Sequence, residues 1–158
     1  MSGGSHELPT GPVLIAYDGS ELAARGIEEA GRLLRSGAEA LVVCVWQPFD
    51  VGFVTARGVD LNAEQATEVR TAAEATAAAG ATLAKDAGFT ATSRAVVGAP
   101  TWKAIVETAE DVDAQVIVLG SHGRSGLSDL LLGTVAGAVA NHSRRTVLIA
   151  HAPKPASD

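Results

Sequence analysis

Three short stretches of this chain consist of apolar residues with no polar residue between them. The clearest is 41–45, which contains three valines, and 13–17 and 116–119 have the same character. A strand covered on one face alternates apolar with polar residues, whereas strands buried on both faces of a parallel sheet read as continuous apolar runs. The chain is therefore expected to form an α/β fold, with a mostly parallel sheet between helices.

Helical patterns separate these strands, as parallel connections require. Ser20 can cap a first helix that Gly37 stops, and the alanine- and glutamate-rich stretch 62–87 predicts a second helix from its composition, although Gly80 interrupts its periodicity. Further along, the pattern predicts a strand at 90–97, a helix at 101–109, a helix ending near 141 and a strand at 146–150. Five strands thus alternate with four helices, and right-handed crossovers are expected.

Open parallel sheets bind ligands beyond the carboxyl ends of their strands, where the winding direction reverses. That rule selects three places in this sequence. Asp18 follows the first strand, Val45 and Trp46 end the second, and a glycine-rich loop follows the fourth.

Charge and composition narrow the possible partners. The 158 residues include 18 acidic and 12 basic side chains, a net charge of −6, so binding to nucleic acid through bulk positive charge is not expected. No apolar run reaches the length of a membrane span, and the start of the chain shows no export signal. The single cysteine, Cys44, lies in an apolar run. We expect a cytoplasmic protein with no membrane partner.

The segment 120–134, GSHGRSGLSDLLLGT, is the most informative part of the chain. Glycines allow backbone amides to approach an anion and can adopt positive φ angles that turn those amides inward. Gly133 and Thr134 stand where a helix begins, and the unpaired amides of a helix start attract phosphate. Arg124 adds a cation that can bind phosphate oxygens. A polyphosphate could be held here despite the acidic net charge.

Spacing alone leaves a second interpretation open, because strand-to-helix loops also use glycines for tight turning. Other nucleotide signatures are missing from the sequence: it has no Gly-Lys dipeptide of a P-loop, and no Gly-x-Gly-x-x-Gly follows the first strand. The loop also lacks the second histidine of a nucleotidyltransferase, and no ATP-pyrophosphatase loop precedes the first strand. Nucleotide-activating enzymes of these classes are not expected.

Nearly the whole chain resembles a universal stress protein of the small, single-domain, ATP-binding type. The nucleotide motif of that family is Gly, two residues, Gly, nine residues, Gly and then Ser or Thr, which Gly120, Gly123, Gly133 and Thr134 match in full. YDGS after the first strand and VGAP after the third also resemble the family. The resemblance implies an open five-stranded parallel sheet of order 3-2-1-4-5 with four helices on both faces, Rossmann-like and similar to the adenine nucleotide alpha hydrolases.

The resemblance also implies a set of nucleotide-binding residues. Val43 and Val45 would form an adenine slot, Asp18 would lie near the adenosine, and the glycines would flank the ribose and phosphates. The full set is Ala16, Asp18, Val43, Val45, Gly120, Ser121, Gly123, Arg124, Gly133, Thr134 and Val135.

Two positions differ from the family pattern, and two site residues have simpler interpretations. Ala16 stands where relatives can carry proline, and Cys44 where many carry histidine. Asp18 could instead cap a helix or close a turn, and Arg124 could be a solvated loop charge.

The function implied by the resemblance is that of an ATP-binding sensor or regulator in the stress response, with slow or no hydrolysis and no catalytic residue. The scattered histidines and the single cysteine lack the spacing of zinc ligands, so no zinc site is expected. If a divalent ion is bound, we expect Mg²⁺ that arrives with the nucleotide phosphates. One alternative is an ATPase or other nucleotide-processing enzyme that uses His122, Asp18 or Arg124. Another is an interaction module without a ligand.

The resemblance further implies a homodimer formed through the last strand, Thr146–Ala150. The expected domain organisation is a flexible N-terminal tail at 1–12, a single universal stress protein domain at 13–152 and a C-terminal tail at 153–158.

Overall fold

The computed structural model describes residues 7–47, 63–123 and 131–154. Within these ranges five strands alternate with four helices. They are β1 Val13–Ala16, α1 Glu21–Leu33, β2 Glu39–Trp46, α2 Ala63–Asp86, β3 Thr90–Val97, α3 Thr101–Asp111, β4 Val116–Gly120, α4 Thr134–His142 and β5 Thr146–Ala150. The strands pair in parallel in the order β3-β2-β1-β4-β5. The expected fold class and strand order are confirmed.

Strand β2 is longer than the apolar run 41–45 predicts. Strand β3 pairs with it along its whole length, from Glu39 opposite Thr90 to Trp46 opposite Val97. The ladder therefore includes a charged residue at one end and an aromatic residue at the other. The ends of this strand are set by its pairing partner, which the local apolar pattern does not reveal.

The turn between β1 and α1 is built as the sequence predicts. Gly19 adopts a φ of +84°, in the left-handed region that favours glycine. Ser20 caps α1, because its Oγ accepts a hydrogen bond from the Ala23 N–H at 3.2 Å. These two residues start the helix directly after Asp18, which keeps that carboxylate at the end of β1.

The helices cover both faces of the sheet. On one face, Ile27 of α1 and Ala84 of α2 are buried in the same cluster as residues of β1 and β2. On the other face, Ile105 of α3 and Val139 of α4 pack in a second cluster. No helix in the described ranges combines the length and the apolar character needed to span a membrane.

Gly80 lies within α2 and does not interrupt the helix. A Cβ atom at this position would lie 2.6 Å from Tyr17 Cδ1 and 2.8 Å from Val42 Cγ1. The absence of a side chain therefore lets α2 lie directly on the sheet. The residue that weakens the helical pattern in the sequence is thus one at which α2 lies close against Tyr17 and Val42.

Arg145 joins the end of α3 to the start of β5, at the opposite end of the sheet from Asp18. Its guanidinium donates to Glu110 Oε2 at 2.6 Å, to Asp113 Oδ1 at 2.7 Å and to the Ala114 carbonyl at 3.2 Å. The Arg145 side chain is 12% exposed. Hydrogen bonds from Arg145 hold the pKa values of the Glu110 and Asp113 carboxyls below their ordinary values.

We expect Arg145→Met to lower the melting temperature by a few degrees at neutral pH and to flatten the loss of stability in acid. Carboxyls whose pKa is lowered by folding stabilise the native state above their unfolded pKa, and this contribution is lost as the pH falls through the folded pKa. Thermal melts between about pH 7 and about pH 3 measure both effects.

Arg70→Met is the matched control for this prediction. Arg70 Nε lies 2.9 Å from Glu74 Oε1 on α2, and both side chains are largely exposed. Exposed pairs of this kind contribute little to stability. Identical acid profiles for the two variants would show that Arg145 is no more important than a surface ion pair.

Candidate functional site

A cavity of about 250 Å³ opens at the carboxyl ends of β1, β2 and β4. Its walls come from the ends of these strands, the first turns of α1 and α4, and the N-terminal part of α3. The chain winds outward in one direction from β1 to β3 and in the other from β4 to β5. The cavity therefore lies where the winding of the sheet reverses, which is the position that open α/β sheets use for ligands.

The structure brings together ten of the eleven site residues named from the sequence. The ten that line the cavity are Ala16, Asp18, Val43, Val45, Gly120, Ser121, Gly123, Gly133, Thr134 and Val135. The eleventh, Arg124, lies outside the described residues. Elements that are distant in the sequence thus converge on one cavity.

Sequence reasoning missed part of the wall. The cavity is also lined by Tyr17, Ala23, Thr101, Ile105, Leu119 and Ala136, and by His122, which the sequence suggested only for the alternative of a nucleotide-processing enzyme. Thr101 and Ile105 belong to α3, and their contribution depends on how the crossover from β3 places that helix over the sheet. One feature of the sequence could have indicated this contribution: Thr101 follows the carboxyl end of β3 after a short turn.

The three motif glycines are needed for close approach and not for their backbone conformation. A Cβ atom added to Gly120 would lie 2.9 Å from the carbonyl carbon of Leu22. One added to Gly123 would lie 2.9 Å from Asp18 Oδ2, and one added to Gly133 would lie 2.9 Å from the carbonyl oxygen of Ser121. None of the three has a φ in the left-handed region. The expectation that these glycines turn their amides inward through positive φ angles is therefore wrong at these positions.

Asp18 lies between α1 and the motif loop. Its Oδ1 accepts a hydrogen bond from the Ser20 N–H at 2.9 Å, while Oδ2 faces Gly123. The turn-closing role that the sequence left open is therefore present, and the carboxylate still borders the cavity. In the described part of the chain, no group of three or more His, Cys, Asp or Glu residues is arranged to hold a metal ion.

Ser121 connects three parts of the site and is 2% exposed. Its N–H donates to the Ala150 carbonyl of β5 at 2.8 Å, and its carbonyl accepts from the Gly133 N–H at 2.7 Å. Its hydroxyl lies 3.2 Å from His122 Nδ1. Ser121 therefore fixes the start of α4 against the ends of β4 and β5.

The cavity combines two chemical environments. Val43, Val45 and Ile105 present apolar side chains that belong to the cluster between the sheet and α3. At α4, the N-cap Gly133 supplies no side-chain cap, so the amides of the first turn have no partner within the helix. A helix start carries partial positive charge. The cavity thus suits a molecule with a flat apolar part and an anionic part.

Comparison with known proteins identifies the family. The model of the universal stress protein family matches residues 10–151. Universal stress protein Rv2005c of Mycobacterium tuberculosis is 37% identical over 144 residues, which are 88% of this chain and 45% of that protein. The chain therefore spans about half the length of this relative.

Two solved structures show the same fold. One, described as a universal stress protein in complex with cAMP, is 30% identical, with a TM-score of 0.63 over 90% of this chain and 98% of that chain. Another, of protein MJ0577, has a TM-score of 0.70 over 92% of this chain and 99% of that chain, at 24% identity. The family match extends over almost all of the sheet and helices described here. This chain belongs to the universal stress protein family.

Proposed function

We propose that this chain binds ATP in the cavity and acts as a nucleotide-dependent regulator of the stress response, with slow or no hydrolysis. The observation that carries the proposal is the combination of an apolar slot and an amide-lined helix start in one cavity, built around Gly120, Gly123, Gly133 and Thr134. ATP has the corresponding parts, a flat base and a polyphosphate chain.

Each part of the cavity has a place in this proposal. The adenine lies among Val43, Val45 and Ile105, and the ribose lies near Asp18. The phosphates lie at the start of α4, where backbone amides and the Thr134 hydroxyl can donate to them. Mg²⁺ enters on the phosphate oxygens, because it keeps several of its waters and is bound mainly through phosphates and few protein groups.

The solved relative at 30% identity supports adenine recognition, since it is described as a complex with cAMP. That nucleotide carries a single phosphate, whereas the helix start of α4 can hold a longer anionic chain. We therefore propose that ATP is preferred and that cAMP is the competitor to test.

Slow or absent hydrolysis is proposed because the two candidate proton acceptors in the described wall already have partners. Asp18 Oδ1 accepts from the Ser20 N–H, and His122 Nδ1 is paired with the Ser121 hydroxyl. Fast phosphoryl transfer needs a group that positions the attacking water. Multiple-turnover ADP release that disappears in Asp18→Asn would favour the ATPase alternative.

We also propose that residues 13–152 form one domain and that two copies associate through β5. This strand is at the edge of the sheet, and its central side chains Val147, Leu148 and Ile149 are half-buried. An edge strand presents unpaired backbone groups that can pair with another chain.

The direct experiment is to denature freshly purified protein and identify any released nucleotide by chromatography. Ligand-free protein is then titrated with ATP and cAMP, with and without Mg²⁺. We expect near-stoichiometric ATP, or micromolar rebinding that exceeds the affinity for cAMP. The absence of both bound nucleotide and rebinding would overturn the proposal and favour an interaction module.

A further inference from the structure

The described wall of the cavity brings little positive charge to a polyphosphate ligand. Among the described residues that line it, Asp18 is acidic and none is lysine or arginine. His122 is the one group in that described wall that can become positively charged near neutral pH. The charge state of this histidine therefore bears directly on how well a phosphate chain is held.

The orientation of the His122 ring is fixed from both sides. Nδ1 lies 3.2 Å from Ser121 Oγ. The other edge of the ring faces the start of α4, because Cδ2 would lie 3.3 Å from a Cβ atom placed on Gly133. Nε2 is the ring atom bonded to Cδ2, so this nitrogen lies next to the helix start where the phosphates are proposed to bind.

The contact between Ser121 Oγ and His122 Nδ1 couples the hydroxyl to the tautomer of the ring. Its hydroxyl is buried, and within the described chain His122 is its hydrogen-bond partner. When the ring is neutral, the buried hydroxyl donates a hydrogen bond to Nδ1, because an unpaired buried donor is costly. The ring hydrogen is then on Nε2. In the charged ring, Nδ1–H donates to the hydroxyl and Nε2 still carries a hydrogen. Nε2 is thus a donor in both charge states.

We propose that His122, oriented by Ser121, binds the phosphate chain through Nε2–H and makes the affinity for ATP dependent on pH near neutrality. This inference rests on the proposed function, and it adds the residue that responds to phosphate charge. Charging the ring converts an ordinary hydrogen bond into a charge-assisted one, which is stronger. ATP affinity therefore rises as the pH falls, and AMP, with less phosphate charge, shows a smaller change.

Among the described residues, few titratable groups lie on the elements packed around His122. Asp18 ends β1, Glu21 lies in the first turn of α1, Tyr17 lines the same cavity, and His151 follows β5. The first turn of α4 carries no acidic residue. Of these groups and the ring itself, His122 and His151 are the two imidazoles.

The test is a set of ATP and AMP titrations by calorimetry at about pH 6 and about pH 8, at a fixed Mg²⁺ concentration. We expect ATP affinity in the unmodified protein to fall about sixfold over this range, because the charged ring holds the phosphates more strongly than the neutral one. The terminal phosphate of ATP also changes its charge in this pH range. Each variant is therefore compared with the unmodified protein under the same conditions, so that the contribution of the ligand cancels.

His122→Gln separates charge from hydrogen bonding, because the glutamine amide keeps a neutral donor near the position of Nε2. We expect most of the pH dependence of its ATP affinity to disappear, because the glutamine amide does not become charged. His142→Gln and His151→Gln are the controls. His142 is stacked on Trp102 outside the cavity, with ring centroids 4.2 Å apart. Both controls should keep the full pH dependence.

Ser121→Ala tests the positioning role. Without the hydroxyl, the neutral ring can place its proton on either nitrogen, so ATP affinity should fall about twofold at pH 8 and stay nearly unchanged at pH 6. A merely structural role would weaken binding equally at both pH values and would overturn the positioning assignment. Equal pH dependence in His122→Gln and the control variants would overturn the role of His122 while leaving ATP binding intact. The loss of nucleotide binding in every protein, the unmodified one included, would instead overturn the proposed function itself.

Discussion

Replacing Gly133 by valine is expected to lower the affinity for ATP about 100-fold or more while the fold is retained. A Cβ atom here would lie 2.9 Å from the Ser121 carbonyl oxygen and 3.3 Å from His122 Cα, so the loop and the start of α4 must move apart. The 2.7 Å hydrogen bond from the Gly133 N–H to Ser121 would be lost with that movement. Misplacing two amides that each donate about 1.5 kcal/mol to a phosphate corresponds to a loss of about 100-fold.

The fold should survive because the backbone at Gly133 is not itself unusual. Its φ of −61° and ψ of 166° suit any residue, so the obstacle is the close approach alone. Circular dichroism and thermal melting test this point, and calorimetry measures the ATP affinity.

The matched control for Gly133→Val lies one turn further along α4. At Gly137 a Cβ atom would meet Leu132 Cβ at 3.8 Å, which is an ordinary contact. Gly137→Ala should leave ATP affinity within about twofold and raise the stability of the helix by up to about 1 kcal/mol. Unchanged ATP affinity in Gly133→Val would show that the start of α4 does not bind the phosphates.

Local pattern was enough to locate the strands of this fold but not to orient its longest helix. Continuous apolar runs mark β1, β2 and β4 because these strands are buried on both faces. In α2, the buried residues Ala73, Ala77, Ala81 and Ala84 are the same residue type as the exposed Ala72, Ala75, Ala78 and Ala79. Composition therefore predicts the helix, and tertiary contact alone decides which alanines face the sheet.

The candidate site was likewise predicted only in part from the sequence. The motif spacing predicted residues around Gly120, Gly123 and Gly133 that the structure brings to one cavity, but it suggested the wrong physical reason for the glycines. Their importance lies in contacts with Leu22, Asp18 and Ser121, and a sequence pattern cannot reveal a contact between residues that are remote along the chain. The α3 wall was missed for the same reason, because a crossover brings it to the cavity.

Ile149→Pro is expected to convert the proposed dimer into monomers. The Ala150 carbonyl accepts a hydrogen bond from the Ser121 N–H, so the polar groups of Ala150 face β4. Backbone groups alternate in direction along a strand, so the N–H of Ile149 points to the outer edge. Proline removes that outward donor without removing a hydrogen bond to β4, and its ring obstructs pairing with a second chain. Light scattering over a range of concentrations measures the outcome.

Two companion variants show whether the effect belongs to the outer edge. Leu148→Pro removes a donor that faces β4, so it should lower the stability of the sheet itself. Ile149→Val keeps the N–H and most of the side chain, and it should remain dimeric. Monomers from Ile149→Pro with a normal melting transition, beside dimers from Ile149→Val, would support an interface built on the backbone of β5. Persistence of the dimer in Ile149→Pro would place the interface on another surface, because an edge strand that lacks its outward donor cannot continue the same ladder into a second chain.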